Sequence, residues 1–258
     1  MMAEENVLLS WYAILNAEHN SLQPYLYEFE LLKDPRLEPF DVNGQKCAKL
    51  TYSGFKGCKD YEEVLDKTQE LVGLLAGTLR ISQGARPLSI VNIVGVFVDG
   101  GTQTFPPHGR PVRISIDLVN SVITRKPGLA PRPTIEQYVM EYVLRSDDQL
   151  VKDVLHYLSY PPDFFNLYKI LEVISKDLGK GSKGFSLIKK RGWATKKDLD
   201  AFKVTADTVH RHWKENRPAP QMNLQEAVLR CRRIIKGWVA ERVGLQPAAT
   251  PKKSTGKS

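Results

Sequence analysis

Residues 161–213 read PPDFFNLYKILEVISKDLGKGSKGFSLIKKRGWATKKDLDAFKVTADTVHRHW, and the order of apolar and glycine-lysine blocks in this stretch decides the fold. Phe164, Leu167, Tyr168, Leu171, Ile174 and Leu178 recur at helical spacing, and Phe165, Ile170 and Val173 widen the stripe, which predicts a mostly enclosed helix. Gly179, Gly181 and Gly184 stop that helix, and Lys180, Lys183, Lys189, Lys190 and Arg191 make the connection beyond it basic as well as flexible. A second helix is predicted from Thr195. Thr195 and Asp198 have the spacing of a capping box, and Leu199, Phe202, Ala206, Val209 and Trp213 mark one buried face.

Working outward toward the N-terminus, a Pro-rich link at residues 127–133 divides the chain. Before it lies an α+β sheet domain, residues 1–126. The apolar run of residues 6–15 suits a central strand, with helix as the alternative. Tyr25, Tyr27, Phe29 and Leu31 alternate with Glu28 and Glu30 as in a half-buried strand, and Cys47 to Tyr52 supplies a third. A helix over residues 60–80 is capped by Asp60, with Glu62 and Glu63 in its first turn; Gly73 and Gly77 in its interior point to close contact with the sheet. Leu88 to Val98 and Val112 to Leu118 read as strands joined by a long hairpin loop, residues 99–110, of the length that often contacts a partner. The sum is an antiparallel sheet of about five strands with one packed helix.

After the link, residues 134–244 read as an all-α helical bundle domain. Thr134 caps one helix, Ser146 or Asp147 starts another that ends at Tyr160-Pro161-Pro162, and Asn223 with Glu226 opens the last, whose stripe is Leu224, Ala227, Val228, Cys231, Ile234, Ile235 and Trp238. Residues 245–258 are rich in Pro, Ala, Thr, Lys and Ser and read as a disordered basic tail.

The net charge of +8 is unevenly placed: residues 1–130 carry 13 Lys or Arg against 15 Asp or Glu, and residues 131–258 carry 24 against 14. Such asymmetry suits a polyanionic partner, because neutralising phosphates releases counterions. A merely solvated basic surface is the alternative. Three widely spaced cysteines, Cys47, Cys58 and Cys231, suggest reduced thiols, not a disulfide framework or a metal knuckle. No apolar stretch is long enough to cross a bilayer and the first residues carry no basic leader, so the expectation is a cytoplasmic protein without membrane contact.

Signatures of nucleotide-binding and hydrolytic enzymes are missing, and no cofactor or metal is expected. Gly179-Lys-Gly-Ser-Lys-Gly184 follows a helix where a phosphate loop follows a strand. His210 and His212 are two apart, so on a helix they face away from each other. An enzyme of unfamiliar type would need Asp99, His108, His156, Asp207 and His210 to converge. The stronger signal is basic. Residues 176–217 hold 12 basic side chains against 5 acidic ones, interrupted by Trp193, which either packs in the core or stacks on a base. The predicted polyanion-binding set is Lys180, Lys183, Lys189, Lys190, Arg191, Lys196, Lys197, Arg230, Arg233 and Lys236.

Asp163-x-x-Asn166-Leu-Tyr-Lys, Lys189-Lys-x-Gly-Trp-Ala-Thr195 and Phe202-Lys-x-Thr-Ala together resemble the C-terminal segment of a family of uncharacterised bacterial proteins. The resemblance implies a bacterial or phage-like cytoplasmic setting and brings no activity or site residue. The functional expectation is a non-enzymatic binding protein whose basic helical half meets nucleic acid, another polyanion or a protein partner. An oligomerising structural subunit is the remaining alternative.

Overall fold

The computed structural model describes residues 8–17, 22–82, 88–98, 101–107, 133–179, 182–206 and 222–245. Its order is β1 (Leu8–Ala17), α1 (Gln23–Glu28), β2 (Arg36–Val42), β3 (Gln45–Thr51), α2 (Tyr61–Leu79), β4 (Leu88–Phe97), β5 (Thr102–Phe105), α3 (Ile135–Ser146), α4 (Gln149–Ser159), α5 (Phe164–Leu178), α6 (Ser182–Lys190), α7 (Lys196–Ala206) and α8 (Leu224–Arg242). The fold class is α+β, with an antiparallel sheet ordered β2-β3-β1-β4-β5, α1 and α2 between its strands, and α3 to α8 after it.

β1 is central because it is apolar on both faces. Ala13 pairs with Leu50 on one side and Ile93 on the other. Ala13 and Leu15 face the main core, while Ile14 joins Cys47 and Val94 in a smaller cluster on the opposite face. Two strands differ from expectation. The segment around the Tyr25–Leu31 alternation also carries Leu22, Tyr25, Phe29 and Leu32 at helical spacing, and these four are buried, with Glu28 beside them. Pro24, placed in the first turn where its missing N–H costs nothing, tips the segment to α1. The second strand is β2 instead, paired with β3 across the Asn43-Gly44 turn, both residues at positive φ. β5 lies inside the predicted long loop: the Gly101 carbonyl accepts from the Phe97 N–H at 2.9 Å, and β5 pairs antiparallel with β4. The predicted strand 112–118, the link up to residue 132 and the tail from residue 246 fall outside the described residues.

α2 is the joint between sheet and bundle. Asp60 caps it, accepting from the N–H groups of Glu62 and Glu63. A Cβ at Gly77 would overlap the carbonyl oxygen of Leu155, so the close approach is to α4, not to the sheet; a Cβ at Gly73 would meet nothing within 4 Å. One cluster of buried side chains continues from Leu15 and Leu50 through Leu75 to Leu155, Ile170, Ile235 and Trp238. The helix caps follow sequence logic, shifted slightly at α4: Asp148 caps it, and Asp147 closes α3 in a left-handed conformation. The three cysteines are free and buried. Among the described residues no helix is long and apolar enough to cross a membrane.

Candidate polyanion groove

α6 is a helix where the sequence suggested only a connection. Glycine makes its seating possible: a Cβ at Gly184 would overlap the Ser175 carbonyl oxygen and stand 2.6 Å from that of Gly179, so α6 lies directly on the end of α5. Gly184 therefore serves helix packing. α7 also packs on α5, with Phe202 edge-on to Phe164 at 6.2 Å and Ala201 and Thr205 buried. Its start is the predicted reciprocal box: Asp198 accepts from the Thr195 N–H at 3.0 Å, and Thr195 Oγ1 accepts from the Asp198 N–H at 3.1 Å.

Between these helices runs an open groove of about 620 Å³. Each helix contributes one stripe at helical spacing: Tyr168, Glu172, Ser175 and Lys176 from α5; Ser182, Phe185, Ser186 and Lys189 from α6; Lys196, Leu199, Asp200 and Lys203 from α7. Four lysines thus face two carboxylates. Glu172 is already held by Lys169 at 3.0 Å. No described residue forms an ion pair with Lys176, Lys189, Lys196 or Lys203, all of them exposed. The groove is net positive, with serine hydroxyls and two aromatic rings in its wall.

The other predicted cations go elsewhere. Arg191 shares its Nε–H between the two Glu241 carboxylate oxygens at 2.9 and 3.0 Å and covers the Trp193 ring at 5.4 Å. Trp193 itself packs on α8, where a Cβ at Gly237 would overlap the indole ring. Arg230 is held by Asp198 and Glu226. Arg233 donates to the Gly192 carbonyl at 3.0 Å. Lys183 and Lys190 occupy a different face of α6, and Lys197 and Lys236 are exposed outside the groove. Of the predicted set, Lys189 and Lys196 line it. Lys180 lies outside the described residues.

Lys176 and Lys203 line the groove but were not in the predicted set. Their signal was present in the seven-residue step from Lys196 to Lys203 and in the α5 stripe running from Tyr168 to Lys176.

Two other concavities carry fewer charged groups. One of about 650 Å³ lies beside β1 and β3 and is lined by Trp11, Tyr12, Tyr52 and Phe55 with Asp34, Lys49 and Lys56. The other, about 40 Å³, sits among α2, α4, α5 and α8 beside Arg80 and Arg232 and has room for only a few waters. Of the residues required for a His/Asp enzyme, His156 alone is described; it is exposed on α4 with its Nε2 3.2 Å from the Tyr160 hydroxyl. Asp99, His108, Asp207 and His210 fall outside the described residues. No group of three or more His, Cys, Asp or Glu among the described residues is placed to hold a metal ion. No family model, curated protein or solved structure matches the chain.

Proposed function

We propose that this is a non-enzymatic binding protein that holds a polyanion in the groove between α5, α6 and α7. The observation that carries the reading is the convergence of Lys176, Lys189, Lys196 and Lys203, from three helices, on one open groove. Lysines left in water on a solvated face gain little from proximity, whereas a polyanion crossing all four releases about four counterions. Lys196 and Lys203 are seven residues apart, about 10 Å along α7 at 1.5 Å per residue. With fully stacked bases, 3.4 Å per phosphate along a strand, that spans about three steps.

The test is a titration of a fluorescein-labelled 16-nucleotide oligomer, with heparin and polyphosphate as competitors, across salt concentrations. Four neutralised phosphates give a log K against log salt slope of about −3 to −4. A measurable complex at about 50 mM salt with that slope supports the reading. Failure to bind all three polyanions at that concentration overturns it.

A further inference from the structure

We infer that the polyanion is a single-stranded nucleic acid, held by base stacking as well as by phosphate contacts; this rests on the groove being the polyanion site. The α5 stripe does not stop at Tyr168. One turn earlier, on the same face, Phe165 is 51% exposed, a large apolar ring kept at the surface. Lys169 Nζ stands 5.6 Å from the centre of that ring and 3.0 Å from the groove residue Glu172, so a cation and an aromatic face sit together one turn beyond the groove's α5 lining. Inside, Tyr168 and Phe185 stand among Lys176, Lys189 and Lys196.

Aromatic rings interleaved with lysines along a concave path are what an unpaired strand uses: phosphates track the charges while bases, each with a π-face, lie on the rings. A duplex keeps its bases stacked inside a convex rod, and heparin or an acidic peptide has no planar base to offer the rings. The groove volume of about 620 Å³ falls in the range that encloses compact organic ligands, about 300–1,000 Å³. It suits a strand passing through with a base or two turned inward.

The experiment compares four ligands of equal length on the full chain by fluorescence anisotropy: oligo-dT, an abasic oligomer with the same phosphates, a duplex, and heparin. Phe165→Leu and the double variant Lys189→Gln/Lys196→Gln are measured alongside, with circular dichroism confirming their folding. Oligo-dT is expected to bind at least about tenfold tighter than the abasic oligomer and the duplex. Phe165→Leu is expected to weaken oligo-dT about tenfold and leave the abasic oligomer unchanged. Equal affinity for dT and abasic oligomers, or tighter binding of duplex or heparin, overturns the single-strand inference. In that outcome a loss of binding in the lysine variant keeps the groove as a polyanion site. Absence of binding to all four ligands overturns both.

Discussion

Replacing Gly184 with alanine tests how α6 is seated and, through it, how the groove is formed. In an ordinary helical position this change stabilises by about 1 kcal/mol, because alanine loses less backbone freedom on folding. At Gly184 the added methyl meets the carbonyl oxygens of Ser175 and Gly179, both backbone atoms that cannot swing aside like the tip of a side chain. Overpacking of this kind costs about 1–3 kcal/mol and sits at the upper end when backbone must move. The net expectation is a loss of about 1–2 kcal/mol, read as a lower urea midpoint with unchanged slope. The helix that retreats carries Lys189, so polyanion affinity falls with it. Gly73→Ala in α2, where the methyl meets nothing within 4 Å, is the control and gains about 0.5–1 kcal/mol. A Gly184→Ala protein at least as stable as wild type would refute the close seating of α6 on α5.

Arg242 links α8 to the Asp148 cap of α4 and to Asp177 in the last turn of α5, donating at 2.8–2.9 Å and 2.7 Å, so Arg242→Gln is expected to cost about 2–3 kcal/mol in urea unfolding. Burial raises the Asp148 pKa, but hydrogen bonds from Tyr142 and Arg242 outweigh it and hold the carboxyl below the usual range. A depressed folded pKa contributes stability above the unfolded value of about 4 and loses it as pH falls. The gap between wild type and Arg242→Gln therefore stays constant from neutral pH down to about 5 and closes in acid, which urea titrations at stepped pH will show. Arg80 is buried and donates to the Leu158 carbonyl at 2.7 Å and to that of Tyr160; burial lowers its pKa to about 10, with Tyr25 opposing, and it remains charged at neutral pH. Arg80→Met is expected to cost about 3 kcal/mol, measured the same way. Burial pushes the Cys231 thiol up to about 12, so at pH 8 a thiol reagent is expected to label it only after denaturant is added.

Strong periodicity carried through from sequence to structure. The 161–178 stripe became α5, Asp60 and Asn223 became the caps of α2 and α8, and the Thr195–Asp198 box formed as spaced. Failures came where two periods coexist or where partners are distant. Residues 22–32 satisfy both strand and helix spacing, and only the Pro at the first turn separates them. β5 is four residues long and carries no apolar alternation, so it was lost among turn residues. In the groove, cluster membership in the sequence selected positive residues without regard to face. Arg191 and Arg230 find carboxylates 50 and 32 residues away, at Glu241 and Asp198, which no local pattern announces. The helical spacing of Lys176 and Lys203 is legible in the sequence, but that their stripes meet across one groove is a fact of packing.

The most direct measurement compares two variants with equal loss of charge: Lys176, Lys189, Lys196 and Lys203 all changed to Gln, against Lys183, Lys190, Lys197 and Lys236 all changed to Gln. The groove variant is predicted to lose oligonucleotide binding and most of the salt slope, while the second keeps a slope of about −3 and near wild-type affinity. Equal losses in the two would show that basic charge acts diffusely over the surface, and would contradict a groove-centred site.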